Sequence, residues 1–164
     1  MKNGYFIIVS RLLPYKNVQH AIKAFSGIKE KLLVIGAGPM LEELKAMSTE
    51  NVAFASDISD EQMQYAYAHA TALLAVSHED FGITPLEVGA FGKPTIALKA
   101  GGFLDTITEG LNGTFIAEPT AEEIRKAVTN FKAENYSASM IEEYVQKFSE
   151  ERFIRQIKEL MNPS

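Results

Sequence analysis

Short apolar runs alternate along the chain with segments whose apolar positions have helical spacing. The six runs are dominated by aliphatic residues rather than by strict alternation, which is typical of strands that are covered on both faces. The predicted strands are Tyr5–Val9, Leu32–Ile35, Val52–Phe54, Ala72–Val76, Thr95–Leu98 and Thr114–Ile116. The predicted helices are Val18–Ile28, Met40–Met47, Asp60–Ala68, Pro85–Phe91 and Ala121–Phe131, with two more near Ser139–Phe148 and Glu150–Met161.

Strands that alternate with helices pair in parallel through crossover connections. The fold class is therefore α/β, with a doubly wound, Rossmann-like parallel sheet of about six strands and extra helices at the end. Several helix starts carry their own signals. These are an N-cap at Asn17, capping-box spacing at Ser59–Gln62 and Thr120–Glu123, and first-turn prolines at Pro39 and Pro85.

This topology indicates where a ligand would bind, because open parallel sheets bind ligands outside the carboxyl ends of their strands. Ser10, Arg11 and Lys16 directly follow the first strand. Arg presents a planar fork to phosphate oxygens and Lys a point charge, so the pair could hold a diphosphate. Both could equally be ordinary surface cations.

The segment after the second strand reads Gly36-Ala37-Gly38-Pro39. It suggests a dinucleotide fingerprint, but Leu41 stands where the third glycine of that motif belongs, and the turn follows the wrong strand. A close approach of backbone to a ligand, or a tight connection only, is the better interpretation, and a dehydrogenase is disfavoured.

The segment after the fourth strand carries the most information. It places Glu79 in a loop and Glu87 in the first turns of a helix that begins near Thr84-Pro85. Amides at such a helix start favour a diphosphate, and carboxylates accept hydrogen bonds from vicinal hydroxyls. Alternatively, Thr84 and Glu87 form a capping box and Glu87 only closes its own helix. The glycines after Lys99 permit close approach of a sugar or form a turn only.

Composition excludes several classes. A net charge of −5 disfavours nucleic-acid binding, and a chain without cysteine has no disulfide or thiolate metal site. No apolar run is long enough to span a bilayer, and the first residues lack the pattern of a signal peptide. Dispersed histidines and a missing D-x-D pair predict no metal or other cofactor. We therefore expect a cytoplasmic domain, and peripheral association with the inner face of the membrane stays open.

Together these segments resemble the C-terminal domain of glycosyltransferases of family four, which have the GT-B fold. The resemblance runs over residues 4–131 and rests on SRLLPYK, GAGP, NVAFASDISDEQM and the E-x7-E segment SHEDFGITPLEVGAFGKPTIA followed by GGFLDTI, in that order. It implies a retaining, metal-independent hexosyltransferase of polysaccharide biosynthesis that uses a nucleotide-sugar donor. The sequence EDFGI resembles the corresponding segment of the subgroup that uses GDP-mannose. A mannosyltransferase is therefore the first expectation.

The resemblance also implies roles for single residues. Arg11 and Lys16 would hold the diphosphate, and Glu79 would contact the sugar hydroxyls as the third catalytic residue. The remaining donor-binding positions are Ser10, Gly36, Ile58 beside the base, the backbone of Phe81, Gly82 and Ile83, and Glu87 on the ribose. Asp105, where many relatives carry Glu, and Ser56, where Gly is common, depart from the family pattern.

Such enzymes need a second Rossmann domain for the acceptor, so we expect this chain to be one half, inactive alone. We divide it into a nucleotide-sugar-binding domain, 1–134, and C-terminal helices, 135–164, that pack on it and lead toward the absent N-terminal acceptor-binding domain. Exposed apolar surface is expected on those helices. Two alternatives stay open: a nucleotide-sugar epimerase of GT-B-like architecture, and a non-catalytic nucleotide-sugar-binding module.

Overall fold

A computed structural model describes residues 4–161, so the outermost residues of the predicted ranges 1–134 and 135–164 lie outside the description. Six strands form one parallel sheet in the order β3-β2-β1-β4-β5-β6, which confirms the predicted α/β doubly wound fold. In register, Ile7 of the first strand lies opposite Leu33 on one side and Leu73 on the other. The strands are β1 Tyr5–Val9, β2 Leu32–Ile35, β3 Val52–Ala55, β4 Ala70–Ala75, β5 Thr95–Leu98 and β6 Gly113–Ile116.

The helices match the predicted ones within a few residues, with one addition. They are α1 Val18–Phe25, α2 Leu41–Ala46, α3 Asp60–His69, α4 Thr84–Gly89, α5 Phe103–Thr106, α6 Ala121–Asn130, α7 Ala138–Val145 and α8 Glu150–Met161. Short 3₁₀ turns lie at Pro14–Lys16, Ala133–Asn135 and Gln146–Phe148. The sequence did not predict α5, because four residues are too few to show a helical period.

The sheet separates two apolar cores, since successive side chains of a strand point to opposite faces. Phe6 and Ile8 of β1 pack in one core with α1, α2 and α6. Tyr5 and Ile7 of the same strand pack in the other core with α3, α4 and α5. Coverage on both faces explains the nearly continuous apolar runs of the strands.

Three of the predicted helix-start signals are confirmed. The Ser59 hydroxyl accepts from the Gln62 amide at 3.3 Å, and the Gln62 side chain accepts from the Ser59 amide at 2.9 Å, which closes the capping box of α3. At α6, the Thr120 hydroxyl accepts from the Glu123 amide at 3.2 Å. Pro85 stands in the first turn of α4.

Asn17 stands at the N-cap of α1 as predicted but without a side-chain cap, and the prediction for Pro39 was wrong. Asn17 has a left-handed backbone, with φ of 59°, and does not cap α1 with its side chain. Its amide instead donates to the Val76 carbonyl at 3.0 Å, so that the loop after β1 is fastened to the end of β4. Pro39 precedes the helix, because Met40 is the N-cap and α2 begins at Leu41.

The last two helices differ in how they pack. Ile141 and Val145 bury α7 against α4, where a Cβ atom on Gly89 would lie 2.6 Å from Val145. In contrast, α8 buries no side chain against the rest of residues 4–161. Its exposed apolar residues are Phe153, Ile154, Ile157, Leu160 and Met161.

Across residues 4–161, each helix is too short or too polar to cross a bilayer.

Candidate functional site

The candidate site is a cleft of about 380 Å³ between the loops that follow β1 and β4. These two strands are neighbours in the sheet, and the strand order reverses direction between them. Ligands of doubly wound sheets bind at this switch point. The cleft is lined by Val9, Ser10, Arg11, Lys16, Glu79, Asp80, Phe81, Gly82, Ile83 and Thr84.

Lys16 and Glu79 form an ion pair inside the cleft. Their Nζ and Oε1 atoms lie 2.5 Å apart, although 63 positions separate the residues along the chain. The Ser77 hydroxyl, which is buried, donates to the same Oε1 atom. The Lys16 side chain is only 10% exposed and that of Glu79 27%. The sequence predicted both residues at the site, but not that each would partly neutralise the other.

Arg11 has a different environment at the other end of the loop after β1. It is exposed, and within residues 4–161 its one side-chain hydrogen bond reaches the Tyr15 hydroxyl at 3.4 Å. The Tyr15 ring also faces Lys16, whose Nζ atom lies 4.8 Å from the ring centroid. Arg11 is therefore a cation without a carboxylate partner in the part of the chain that the structure describes.

Two glycines hold the loop that carries Glu79. The Gly102 amide donates to the Glu79 carbonyl at 2.8 Å. A Cβ atom added to Gly101 would lie 2.2 Å from the Glu79 carbonyl oxygen. A Cβ atom added to Gly102 would lie 2.3 Å from the Phe81 carbonyl oxygen. The sequence left open whether these glycines admit a sugar or form a turn. In the structure they permit the loops after β4 and β5 to pack closely.

Glu87 is held by a residue of α3. Its Oε2 atom accepts from the Tyr67 hydroxyl of α3 at 3.0 Å. Burial raises the pKa of Tyr67, and the negative charge of Glu87 raises that pKa further. The capping alternative is wrong, because Ile83 is the N-cap of α4 and Thr84 is already inside the helix. Within the described residues, Glu87 does not line the cleft.

Two other predicted donor-binding residues also lie outside the cleft lining of residues 4–161. A Cβ atom on Gly36 would lie 1.9 Å from the Ser10 carbonyl oxygen, so this glycine allows the loops after β1 and β2 to meet. Ile58 is half-buried and packs against the core that contains α3. The roles assigned to all these residues remain predictions.

Two further features of the site are the short helix α4 and the lack of a group of metal-binding side chains among residues 4–161. The predicted helix start is present, but α4 has only six residues, so its dipole is weaker than that of a full-length helix. Among residues 4–161, no group of three or more His, Cys, Asp or Glu side chains is placed to share a metal ion. The charged side chains that line the cleft are Arg11, Lys16, Glu79 and Asp80.

The strand order and the polar cleft at the switch point define a Rossmann-type α/β domain. Comparison with known sequences narrows this class. The sequence model of the family described as "Glycosyl transferases group 1" matches residues 1–148. The chain belongs to this family, which confirms the resemblance to family-four enzymes.

Curated relatives carry several sugar specificities in their names. A GDP-mannose-dependent phosphatidylinositol monomannoside mannosyltransferase of Mycolicibacterium smegmatis is 29% identical over 146 residues, or 78% of this chain and 38% of its own length. An alpha-1,3/1,6-mannosyltransferase of Dictyostelium discoideum is 30% identical over 75% of this chain and 36% of its own length. A poly(glycerol-phosphate) alpha-glucosyltransferase of Bacillus subtilis is 30% identical over 90% of this chain and 22% of its own length. The chain thus spans well under half of these relatives.

Solved structures support the fold. Anabaena HepE in complex with UDP superposes with a TM-score of 0.80 at 23% identity, over 97% of this chain and 49% of that one. The C-terminal domain of a group 1 family glycosyl transferase of Francisella tularensis superposes with a TM-score of 0.71 at 22% identity, over 89% of this chain and 87% of that one. At these identities the match establishes the GT-B-type Rossmann fold.

Proposed function

We propose that this domain binds the nucleotide-diphosphate sugar donor of a retaining, metal-independent glycosyltransferase. One observation carries the proposal: the fold brings Arg11, Lys16 and Glu79 from loops far apart in sequence into one cleft at the switch point. Two cations suit a diphosphate, and a carboxylate suits sugar hydroxyls. Because the chain belongs to a glycosyltransferase family, a ligand that carries both a diphosphate and a sugar is the one that this combination suits.

The transfer reaction breaks the bond between the sugar and the diphosphate, and negative charge grows on the leaving phosphate. Within residues 4–161 the Arg11 guanidinium makes one hydrogen bond, to Tyr15, so its other N–H groups can meet that charge. The Lys16 ammonium has three N–H donors, and Glu79 occupies one of them, so the others can reach a phosphate. Donors fixed before the reaction stabilise the transition state more than the ground state. In this proposal the two cations supply the charge that a metal ion would supply elsewhere.

GDP-mannose is the proposed donor. Support comes from the sequence EDFGI at residues 79–83, which resembles that of the subgroup that uses GDP-mannose. Support also comes from relatives named as mannosyltransferases, one of them GDP-mannose-dependent. A UDP-linked hexose is the second candidate. It is favoured by the glucosyltransferase among the relatives and by structural neighbours that were solved with UDP and with UDP-glucose.

We further propose that an acceptor-binding domain completes the enzyme and packs against α8. The apolar side chains of α8 have helical spacing and are exposed, with Phe153 at 63% and Leu160 at 77%. The relatives' greater length leaves room for a second domain. The domain alone should therefore bind a donor but not transfer its sugar, and the acceptor would be recognised by the other half.

Isothermal titration calorimetry with GDP, UDP and their sugar conjugates tests donor binding directly. We expect a measurable Kd in the micromolar to millimolar range for one nucleotide series. Arg11→Ala should weaken binding about tenfold to a hundredfold, because a charge-assisted hydrogen bond contributes roughly 1.5–3 kcal/mol. Lys45→Ala is the control, since Lys45 pairs only with exposed Glu42 among the described residues and lies outside the cleft.

Two results would contradict the proposal. One is the absence of binding by either nucleotide series at millimolar concentration. The other is an Arg11→Ala variant that binds as tightly as the Lys45→Ala control. Metal independence is tested separately: adding Mg²⁺ or a chelator should leave the Kd unchanged.

A further inference from the structure

The charges in the cleft balance within residues 4–161. Arg11 and Lys16 contribute two positive charges, and Glu79 and Asp80 contribute two negative charges. The most buried cation, Lys16, is also the one paired with a carboxylate. A site built only to hold a diphosphate would carry excess positive charge, because a diphosphate is a multiply charged anion. The presence of Glu79 therefore needs a function that outweighs its repulsion of phosphate.

Glu79 is held firmly at one oxygen. Its Oε1 atom accepts from both Lys16 and Ser77, and its backbone carbonyl accepts from the Gly102 amide at 2.8 Å. Its Oε2 atom makes no hydrogen bond within the described part of the chain. The negative charge is thus fixed in the wall of the cleft, and one oxygen remains free to interact with a ligand.

We propose that Glu79 acts as a charge filter, which makes the cleft prefer a sugar-bearing nucleoside diphosphate over the free nucleoside diphosphate. The inference rests on the proposed function. A free terminal phosphate loses a second proton with a pKa of about 6, so it carries roughly one more negative charge at neutral pH than the same phosphate esterified by a sugar. Glu79 would repel that added charge, whereas sugar hydroxyls can donate to its free oxygen.

The reaction itself creates this difference. The bond between the anomeric carbon and the phosphate oxygen breaks, and its electron pair stays on the diphosphate. The acceptor hydroxyl forms the new bond to the anomeric carbon and releases its proton to solvent. While the sugar carries positive charge, Glu79 stabilises it. After the sugar has left, Glu79 faces a more negative phosphate, and this repulsion favours release of the product.

Glu79→Gln tests the filter, because it removes the charge and keeps the shape of the side chain. Calorimetry should give the Kd of one nucleoside diphosphate and of its sugar conjugate for the wild type and the variant. We expect Glu79→Gln to bind the free diphosphate several-fold more tightly and the sugar conjugate more weakly. The difference should shrink in high salt, which screens charge. Glu42→Gln is the matched control, since Glu42 is also paired with a lysine but lies outside the cleft, and it should change neither Kd.

The outcomes separate the two proposals. If Glu79→Gln weakens both ligands equally, the filter is wrong and Glu79 only shapes the site. If the wild type binds neither ligand, the proposed function fails and the filter fails with it. If thermal unfolding shows that Glu79→Gln is not folded, Glu79→Asp replaces it. Aspartate is shorter by one methylene group, so its charge lies farther from the ligand. The preference for the sugar conjugate should therefore fall in part, and an unchanged preference would overturn the filter.

Discussion

The two glutamates of the E-x7-E segment are eight positions apart and look equivalent in sequence, but their surroundings differ. Glu79 lies in the cleft, where it is bonded to the Lys16 ammonium and the Ser77 hydroxyl. Glu87, which is not among the residues that line the cleft, is bonded to the phenol of Tyr67. One carboxylate is therefore compensated by a charge and the other by a dipole.

This difference shows that one motif can supply two kinds of carboxylate. A partly buried charge is destabilising when its partner is removed, because its desolvation is no longer compensated. The region around Glu79 should therefore be sensitive to the loss of Lys16. A carboxylate that accepts from a phenol instead depends on that phenol staying protonated. The two regions should thus respond to different substitutions, and the Glu87 region should also respond to the ionisation of Tyr67.

The largest effect is expected from Gly101→Ala, which would disrupt the Glu79 region. Gly101 has φ of +57°, and an added Cβ atom would lie 2.2 Å from the Glu79 carbonyl oxygen. A left-handed alanine costs about 1–2 kcal/mol and the steric overlap about 1–3 more. Gly110→Ala is the control, because Gly110 also has positive φ but no atom within 4 Å of the added Cβ. Urea unfolding should show a clearly larger loss for Gly101→Ala, and equal losses would mean that the close approach is unimportant.

A smaller effect is expected from Lys16→Ala, which leaves Glu79 without its cation. We expect the free energy of unfolding to fall by about 1–2 kcal/mol, because a half-buried carboxylate loses a charged hydrogen-bond partner. Lys45→Ala removes an exposed pair from α2 and should cost no more than about 0.5 kcal/mol. Equal unfolding midpoints in urea for the two variants would show that the cleft pair adds nothing to stability.

The smallest effect is expected in the Glu87 region, from Tyr67→Phe. The loss of one hydrogen bond should lower the free energy of unfolding by about 1 kcal/mol near neutral pH. Burial, and then the charge of Glu87, raises the pKa of Tyr67 in the folded state. A raised pKa means that the stabilisation is complete below about pH 10, where unfolded tyrosine titrates, and declines as the pH rises above that value.

Stability at alkaline pH tests the contribution of Tyr67. The wild type should lose more stability than Tyr67→Phe between about pH 10 and 12, because only the wild type has the Tyr67 phenol to ionise. Burial also raises the pKa values of Tyr5 and Tyr136, but both remain in the variant and cancel in the difference. Parallel stability curves for the two proteins would mean that Tyr67 does not hold Glu87 as described.

Much of the fold could be predicted because its signals are local. The aliphatic runs from Tyr5–Val9 to Thr95–Leu98 mark strands covered on both faces, and Ser59 with Gln62 marks the start of α3. Each signal depends on residues within one turn or one strand. Asn17 stands at the predicted N-cap of α1, but its side chain does not cap the helix because it bonds to Val76, 59 positions away. The helix α5 was missed because it is a single turn that begins next to Gly102.

The sequence by itself determined the order of strands and helices, the parallel sheet and the strand ends at which candidate ligand-binding residues stand. The tertiary structure alone decided which of those residues meet. It paired Lys16 with Glu79, left Arg11 without a carboxylate partner within residues 4–161, and turned Glu87 toward Tyr67. The reason is physical: periodicity and capping act over a few residues, whereas the pairing of charges depends on how loops far apart in sequence pack at one edge of the sheet.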